Sequence, residues 1–505
     1  MKRYLLGLLM AIFAVSCSDK VTVKGTISGG SPLERVEVIE ASGVGTLPLV
    51  NMGVDAKGQF SGEFKAPKNG MYVLTYGGAS TMLYLKRGQT LELSGKAMMF
   101  PSEMTITGEA KANNDFLKEA QKTFEAYASK IDMKQLLSKD ESSFLKEFEK
   151  IQKDIEKALG ETAKKLKADR EVLDYKVEET NARLMGLLDA YKEQHGGLTG
   201  KNNFTVSKDF VAFQKKMEKN DDKWIRNFPM YRDYKLGKLQ SDFQKYASSL
   251  PQNPKEQPLM AEVFADFLKT RKDLSQTAKD YFYAYVLAQS DLNFMNTKHY
   301  DKLSKLIDET ISNAGVKADL KELQKVLMGF KAGTKPELKL TDAKGNAWGL
   351  SDFQGKPTVV VFYASWNPNI ALTTVPSLRD VTTLYRGKAD FVYVNLDDTK
   401  AQFEKTSAAL LKGFSGAHYW VEGGIDSNAA KAFGLYGFKL PSYVVLDKDG
   451  RLYGRPFFNL NDPEFGETMA KLTGVKAPSA KLELPGYLGG EPLEVEKVEP
   501  APKTE

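Results

Sequence analysis

Cys17 is the only cysteine among 505 residues, so any reaction that needs a thiol must use that one sulfur. A lone thiolate can be a nucleophile, a metal ligand or an attachment point, and its surroundings decide which. Here they are those of an export signal. Lys2 and Arg3 lead, an apolar run over 5–15 follows, and small residues come just before the sulfur. The run is too short to cross a bilayer comfortably. His195, His299 and His418 lie far apart, and with no second thiol a zinc site of the usual kind is not expected. Ser365 and Ser442 belong to no Gly-x-Ser-x-Gly elbow, and the chain has no Walker loop or dinucleotide fingerprint. The expectation is therefore no catalytic residue, no metal and no cofactor.

The stretch Phe13-Ala14-Val15-Ser16-Cys17 resembles the lipobox of secreted bacterial lipoproteins. The resemblance implies that residues 1–16 are removed and that Cys17 carries a diacylglyceryl group and an acylated amine. The alternatives are an ordinary cysteine in an ordinary signal peptide, or an uncleaved anchor. Each buried methylene of an acyl chain contributes about 0.8 kcal/mol, so lipidation would hold the body on a membrane through Cys17. The mature chain would then have no free thiol. Export by this route implies the cell envelope and favours the outer membrane, with the periplasmic or external face left open.

The chain carries 71 basic and 65 acidic residues, a net +6, which becomes +4 once Lys2 and Arg3 are removed. Both signs are interleaved throughout, as on solvated helix faces, and nucleic-acid binding has no support. The length suggests about three domains, and three compositions follow one another.

Residues 17–108 read as short strands punctuated by turns, among them VTVKGTI, RVEVIEA, QFSGEFKA, MYVLTY and TLELSG. Their spacing predicts an antiparallel β-sandwich. Residues 109–331 turn helical. Phe144, Phe148, Ile151, Ile155 and Leu159 form one of several stripes that predict seven to nine amphipathic helices, with breaks at Phe228-Pro229 and over 249–258. Such aromatic stripes are read as core. Residues 332–336 form a linker, 337–475 alternate strand and helix signals as in an α/β domain, and 476–505 hold almost no core material, which predicts disorder. The run Asp447-Lys448-Asp449-Gly450 reads as a hairpin turn and lacks the rest of a calcium loop.

Two of these regions resemble known families. KGTISG, DAKGQFSGEF and LYLKRGQTLELSG match the N-terminal β domain of thioredoxin-like lipoproteins of Bacteroidetes-type bacteria. Residues 337–475 resemble the TlpA/ResA branch of thioredoxin-like proteins. The match runs from ELKLTDAKGNAWGLSDFQGKPTVVVFYASW through the helix with Pro376 to AAKAFGLYGFKLPSYVVLDKDGRLYGR. The resemblance implies an α/β thioredoxin fold, with Pro441 as the cis proline facing the site.

The departure lies at the chemical centre. Where the family has Trp-Cys-x-x-Cys, this chain has Trp366-Asn367-Pro368-Asn369-Ile370. Asn367 replaces the attacking cysteine and Ile370 the resolving one. Exchange needs a thiolate to attack and a second thiol to release the mixed disulfide, and neither side chain can act so. Asn367 is expected to cap the following helix. By analogy, Leu440 beside Pro441 could pair with an extended peptide, with Trp366, Tyr363 and Tyr436 adding apolar area. The alternative is that Asn367 and Ile370 are a cap and a core residue of a retired site.

The leading functional reading is a non-catalytic binding or scaffold lipoprotein that recognises an envelope protein or peptide. The alternative is a thiol–disulfide oxidoreductase relative with residual or non-redox, isomerase- or chaperone-like, activity. A third reading is a structural lipoprotein of an outer-membrane assembly.

Overall fold

The computed structural model describes residues 19–251 and 258–476. Cys17, the expected export segment, most of the loop after Pro251 and all but the first residue of the expected tail lie outside the described residues.

Alternation organises the first domain. In β1 (Lys20–Ser28), Val21, Val23 and Ile27 turn inward while Lys20 and Lys24 stay at the surface. β2 (Arg35–Glu40), β3 (Pro48–Gly53), β4 (Gln59–Lys65), β5 (Gly70–Tyr76), β6 (Ala79–Leu85), β7 (Thr90–Lys96) and β8 (Thr105–Thr107) complete two four-stranded sheets. Their orders are β4-β1-β7-β8 and β3-β2-β5-β6, around one shared core. The antiparallel expectation fails at one ladder, because β1 pairs antiparallel with β4 but parallel with β7. Alternation reports the face a side chain takes and is silent on strand direction. β5 and β6 lie in the other sheet, and that excursion returns β7 beside β1 in the same sense.

Residues 111–328 hold twelve α-helices among the described residues, where the stripes predicted seven to nine. The surplus consists of short ones such as Met133–Ser138, Asp221–Asn227 and Pro229–Gly237, too brief to repeat a stripe. The stripe on the helix Glu141–Leu166 is buried as core, and Phe144 stacks on Tyr191 with ring centroids 4.0 Å apart. The Asp140 carboxylate caps this helix by accepting the Ser143 N–H at 3.0 Å. The helical core also takes in Met71 and Tyr84 of the sandwich, and Asn114 bonds both backbone groups of Tyr84, at 2.8 and 3.0 Å. Among the described residues no helix is long and apolar enough to cross a membrane.

The third domain is built on β9 (Lys339–Asp342), β10 (Ala347–Gly349), β11 (Thr358–Tyr363), β12 (Asp390–Asn395), β13 (Ala417–Trp420) and β14 (Ser442–Leu446), in the order β10-β9-β13-β12-β11-β14. β11, β12 and β13 run parallel, and β14 is antiparallel to β11. Every residue of β11 is buried, which accounts for its unbroken apolar run. Val360 and Phe362 face one core while Val359, Val361 and Tyr363 face the other. At 447–450 the chain makes a tight turn, with Gly450 at φ +72° donating to the Asp447 carbonyl at 3.0 Å.

This domain also docks on the helix Ala314–Met328. Lys439 is 7% exposed, and its ammonium donates to the carbonyl of Val326 in the last turn of that helix, where the helix dipole favours a cation. Burial nevertheless pushes its pKa from 10.5 down to about 8. The folded state therefore holds this proton less tightly than the unfolded chain does, and stability rises with pH between those two values. The penalty, about 3 kcal/mol, is fully present below pH 8 and is relieved as pH approaches 10.5. Lys439→Met lacks this titration. Its stability relative to the wild type should therefore fall from neutral to alkaline pH, as read from urea midpoints. Parallel pH profiles for the two proteins would contradict the assignment.

Candidate functional site

The site is the loop that leaves β11 and enters the next helix. Asp397, fully buried after β12, holds this loop. One of its carboxylate oxygens accepts the Ser365 N–H and hydroxyl at 2.6 and 2.9 Å, and the other accepts from Asn395 and Thr406, each at 2.9 Å. Four neutral donors thus satisfy a carboxylate that has no cationic partner among the described residues, as burial requires. Asn367 follows at 8% exposure. Its Oδ1 accepts the Asn369 N–H at 2.9 Å and its carbonyl accepts that of Ile370 at 3.1 Å. One π turn, Ile370–Thr374, leads into the helix Val375–Leu384, with Pro376 in its first turn.

The cis Leu440–Pro441 bond lies against this turn. Asn367 Nδ2 donates to the Leu440 carbonyl at 2.7 Å, and the Leu440 N–H goes to Gly437 at 3.3 Å. Both backbone groups that the sequence reading reserved for a peptide strand are engaged within the chain.

The first domain covers this face. Arg35, at the start of β2, lies with its guanidinium carbon 4.6 Å from the centre of the Trp366 ring. The same guanidinium makes a fork to the Asp398 carboxylate, with two bonds of 2.7 Å, and donates to the side-chain and backbone oxygens of Asn51 at 2.5 and 3.0 Å. The Arg35 side chain is only 9% exposed and that of Asp398 29%. Asn51 in turn donates from Nδ2 to Glu37 and from its backbone N–H to Asp426 at 3.1 Å. Lys431 pairs with Asp426 at 2.5 Å and donates to the Leu49 carbonyl at 2.7 Å. Burial raises the pKa of Glu37, against the pull of Asn51 and Arg35. It raises that of Asp426 too, against Lys431. Gly53 permits the close approach, since a Cβ there would lie 2.4 Å from the Asp398 carboxylate.

Residues 331–455 match the Redoxin family model. The chain carries a C-terminal redoxin domain. No curated protein matches. Solved structures similar to the domain include the C-terminal domain of a protein named as a thiol-disulfide oxidoreductase from Bacteroides thetaiotaomicron, at 23% identity. It covers 28% of this chain and 96% of its own, with a TM-score of 0.25. A protein named as a thiol:disulfide interchange protein from Chlorobium tepidum is 18% identical and covers 28% and 97%, with a TM-score of 0.24. The thioredoxin domain of a thiol-disulfide oxidoreductase from Bacteroides vulgatus is 17% identical over 28% and 99%, with a TM-score of 0.24.

Within the redoxin domain, Trp366, Leu440 and Asn367 meet on one side of the sheet, with Pro441 following in the cis bond. Tyr363 does not join them. It is the last residue of β11 and, by alternation, turns into the opposite core, where Ile370 also lies. Its hydroxyl bonds Ser407 at 3.2 Å, and burial pushes its pKa up to about 12. Tyr436 is 7% exposed and stacks on Phe438. His195 is core, bonding the Leu137 carbonyl at 2.8 Å, and His418 stacks on Tyr393 with its pKa lowered by burial. Ser442 is buried in β14. Among the described residues no three His, Cys, Asp or Glu side chains could jointly hold a metal.

Sequence reasoning missed Arg35, Asn51, Asp398, Asp426 and Lys431. Arg35 opens a strand whose charges read as a solvated face, and Asp398 lies 363 residues further along. No local signal joins them.

Proposed function

We propose that this protein is a lipid-anchored, non-catalytic scaffold of the cell envelope, attached through Cys17, whose redoxin domain binds instead of reacting. One observation carries the reading: Asn367 and Ile370 stand where a dithiol would, Ile370 turned into the core, and Trp366 beside Asn367 is covered by Arg35 of the sandwich. A buried bidentate arginine pair and a stacked tryptophan are what a permanent docking contact needs. An enzyme would need the same face open to substrate. Partner recognition then falls to surfaces outside the covered centre. Leu372 and Phe438, 80% and 59% exposed, are the large apolar side chains left uncovered on the segments that build it.

The purified wild-type protein should reduce insulin no faster than a boiled control, and cross-linking in intact cells should recover a stoichiometric envelope partner. Redox turnover above the control would overturn the reading in favour of a residual oxidoreductase. Loss of the partner on Leu372→Ser and Phe438→Ser would place recognition at the rim of the redoxin domain.

A further inference from the structure

We infer that the end of the sandwich where β1 begins, together with the corner between the helices Glu141–Leu166 and Arg170–Thr199, is a docking face for anionic phosphate headgroups. The inference rests on lipid attachment at Cys17. Three peptide steps separate Cys17 from Lys20, the first residue of β1, and fully extended they reach about 10 Å. Whatever lies at that end of the sandwich must therefore sit close to the lipid surface.

The structure shows what lies there. The Asp19 carbonyl accepts the Ala66 N–H at 2.9 Å, and its carboxylate pairs with Arg87 at 3.7 Å. Arg87 also bonds Asn69 and the Ala66 carbonyl. The chain start is thus tied to the loops after β4 and β6. Lys86, next to Arg87, pairs with Asp169 at 2.6 Å, which brings the corner between the two helices to the same end.

The charge at this face is unbalanced. Asp19, Asp169, Glu63 and Asp174 are each matched by a cation, Arg87, Lys86, Lys20 and Arg170 in turn. Lys65, Lys164, Lys165 and Lys167 are exposed and form no ion pair among the described residues. Glu109, Glu161 and Glu171 are exposed acids nearby, so lysines still outnumber unmatched acids. Surplus lysines beside a short tether suit an anionic membrane, where each contributes about 1 kcal/mol.

The same geometry sets the height of the redoxin domain. β1 rises from this end for eight steps, about 26 Å. The turn after it leads within seven residues to Arg35 and its contact with Trp366. The sandwich is then a spacer that holds the covered face away from the lipid.

Acylated Cys17 cannot react with thiol reagents, so an introduced cysteine can be labelled alone in the full chain. Lys65→Cys, Lys167→Cys and Lys57→Cys, each carrying a fluorophore, are to be compared on vesicles of phosphatidylglycerol and phosphatidylcholine with headgroup-attached quenchers. Lys57 lies in the turn beside Gly58, whose carbonyl bonds Ile27 near the far end of β1. Labels at 65 and 167 should be quenched several-fold more than the label at 57. Reversing Lys164 and Lys165 to Glu should reduce that difference. Equal quenching at all three positions, or no effect of charge reversal, would overturn the face. Intact mass separately reports acylation of Cys17. If acylation is absent, the anchoring reading fails, and the same labels in a Cys17→Ser background test the face alone. Quenching at 65 and 167 would retain it, and none would reject it.

Discussion

Arg35→Ala should detach the sandwich from the redoxin domain. The variant loses two 2.7 Å bonds to Asp398, two bonds to Asn51 and the cover over Trp366. Breaking a buried ion pair by removing one partner costs about 3–5 kcal/mol. Asp398 keeps some access to water at 29% exposure, so the lower end of that range applies. What remains is the contact of Asn51 with Asp426 and of Lys431 with the Leu49 carbonyl. Thermal unfolding should separate into more than one transition, and amide exchange should accelerate in β2 and over 364–370. Arg35→Lys should restore little, because an ammonium cannot span both carboxylate oxygens while lying flat on an indole. An unchanged melting profile and unchanged exchange for Arg35→Ala would sink the docking argument.

The second large effect is a gain of chemistry. Asn367→Cys with Ile370→Cys returns two thiols to a scaffold that keeps Trp366, the helix start and the cis Leu440–Pro441 bond. A helix N-terminus lowers a thiol pKa toward neutrality, and the change also frees the Leu440 carbonyl from Asn367. Insulin reduction, expected to be absent in the parent, should appear but remain slow. The first thiol would occupy a position only 8% exposed, next to the Trp366 that Arg35 covers. Adding Arg35→Ala should then raise the rate about 10- to 100-fold, since each 1.4 kcal/mol of opening free energy corresponds to a factor of ten. If the dithiol variant is equally active with and without Arg35, the sandwich does not gate this face.

Particular residues show how far the sequence could be read. The cis bond at Pro441 was legible because it is decided within a few residues, by the motif around the proline; Asn367, expected as a helix cap, makes a turn bond to the Asn369 N–H. Tyr363 does not add to the apolar area beside Trp366, because the two-residue period of β11 turns it into the opposite core. The direction of β7 and the number of helices were missed for a related reason: periodicity marks faces and says nothing of strand sense, and a helix of six or seven residues has no repeat to detect.

By itself, the sequence determined which reactive groups are present. A chain with one cysteine has no dithiol to use, and no fold can supply one. The apolar periods likewise determined which residues turn inward in each domain, since burial of a face is written in neighbouring residues. Only the tertiary structure decided what the old redox face does. Arg35 and Asp398 carry no mark of each other across 363 positions. An interface between domains depends on surfaces brought together after each domain has buried its own core.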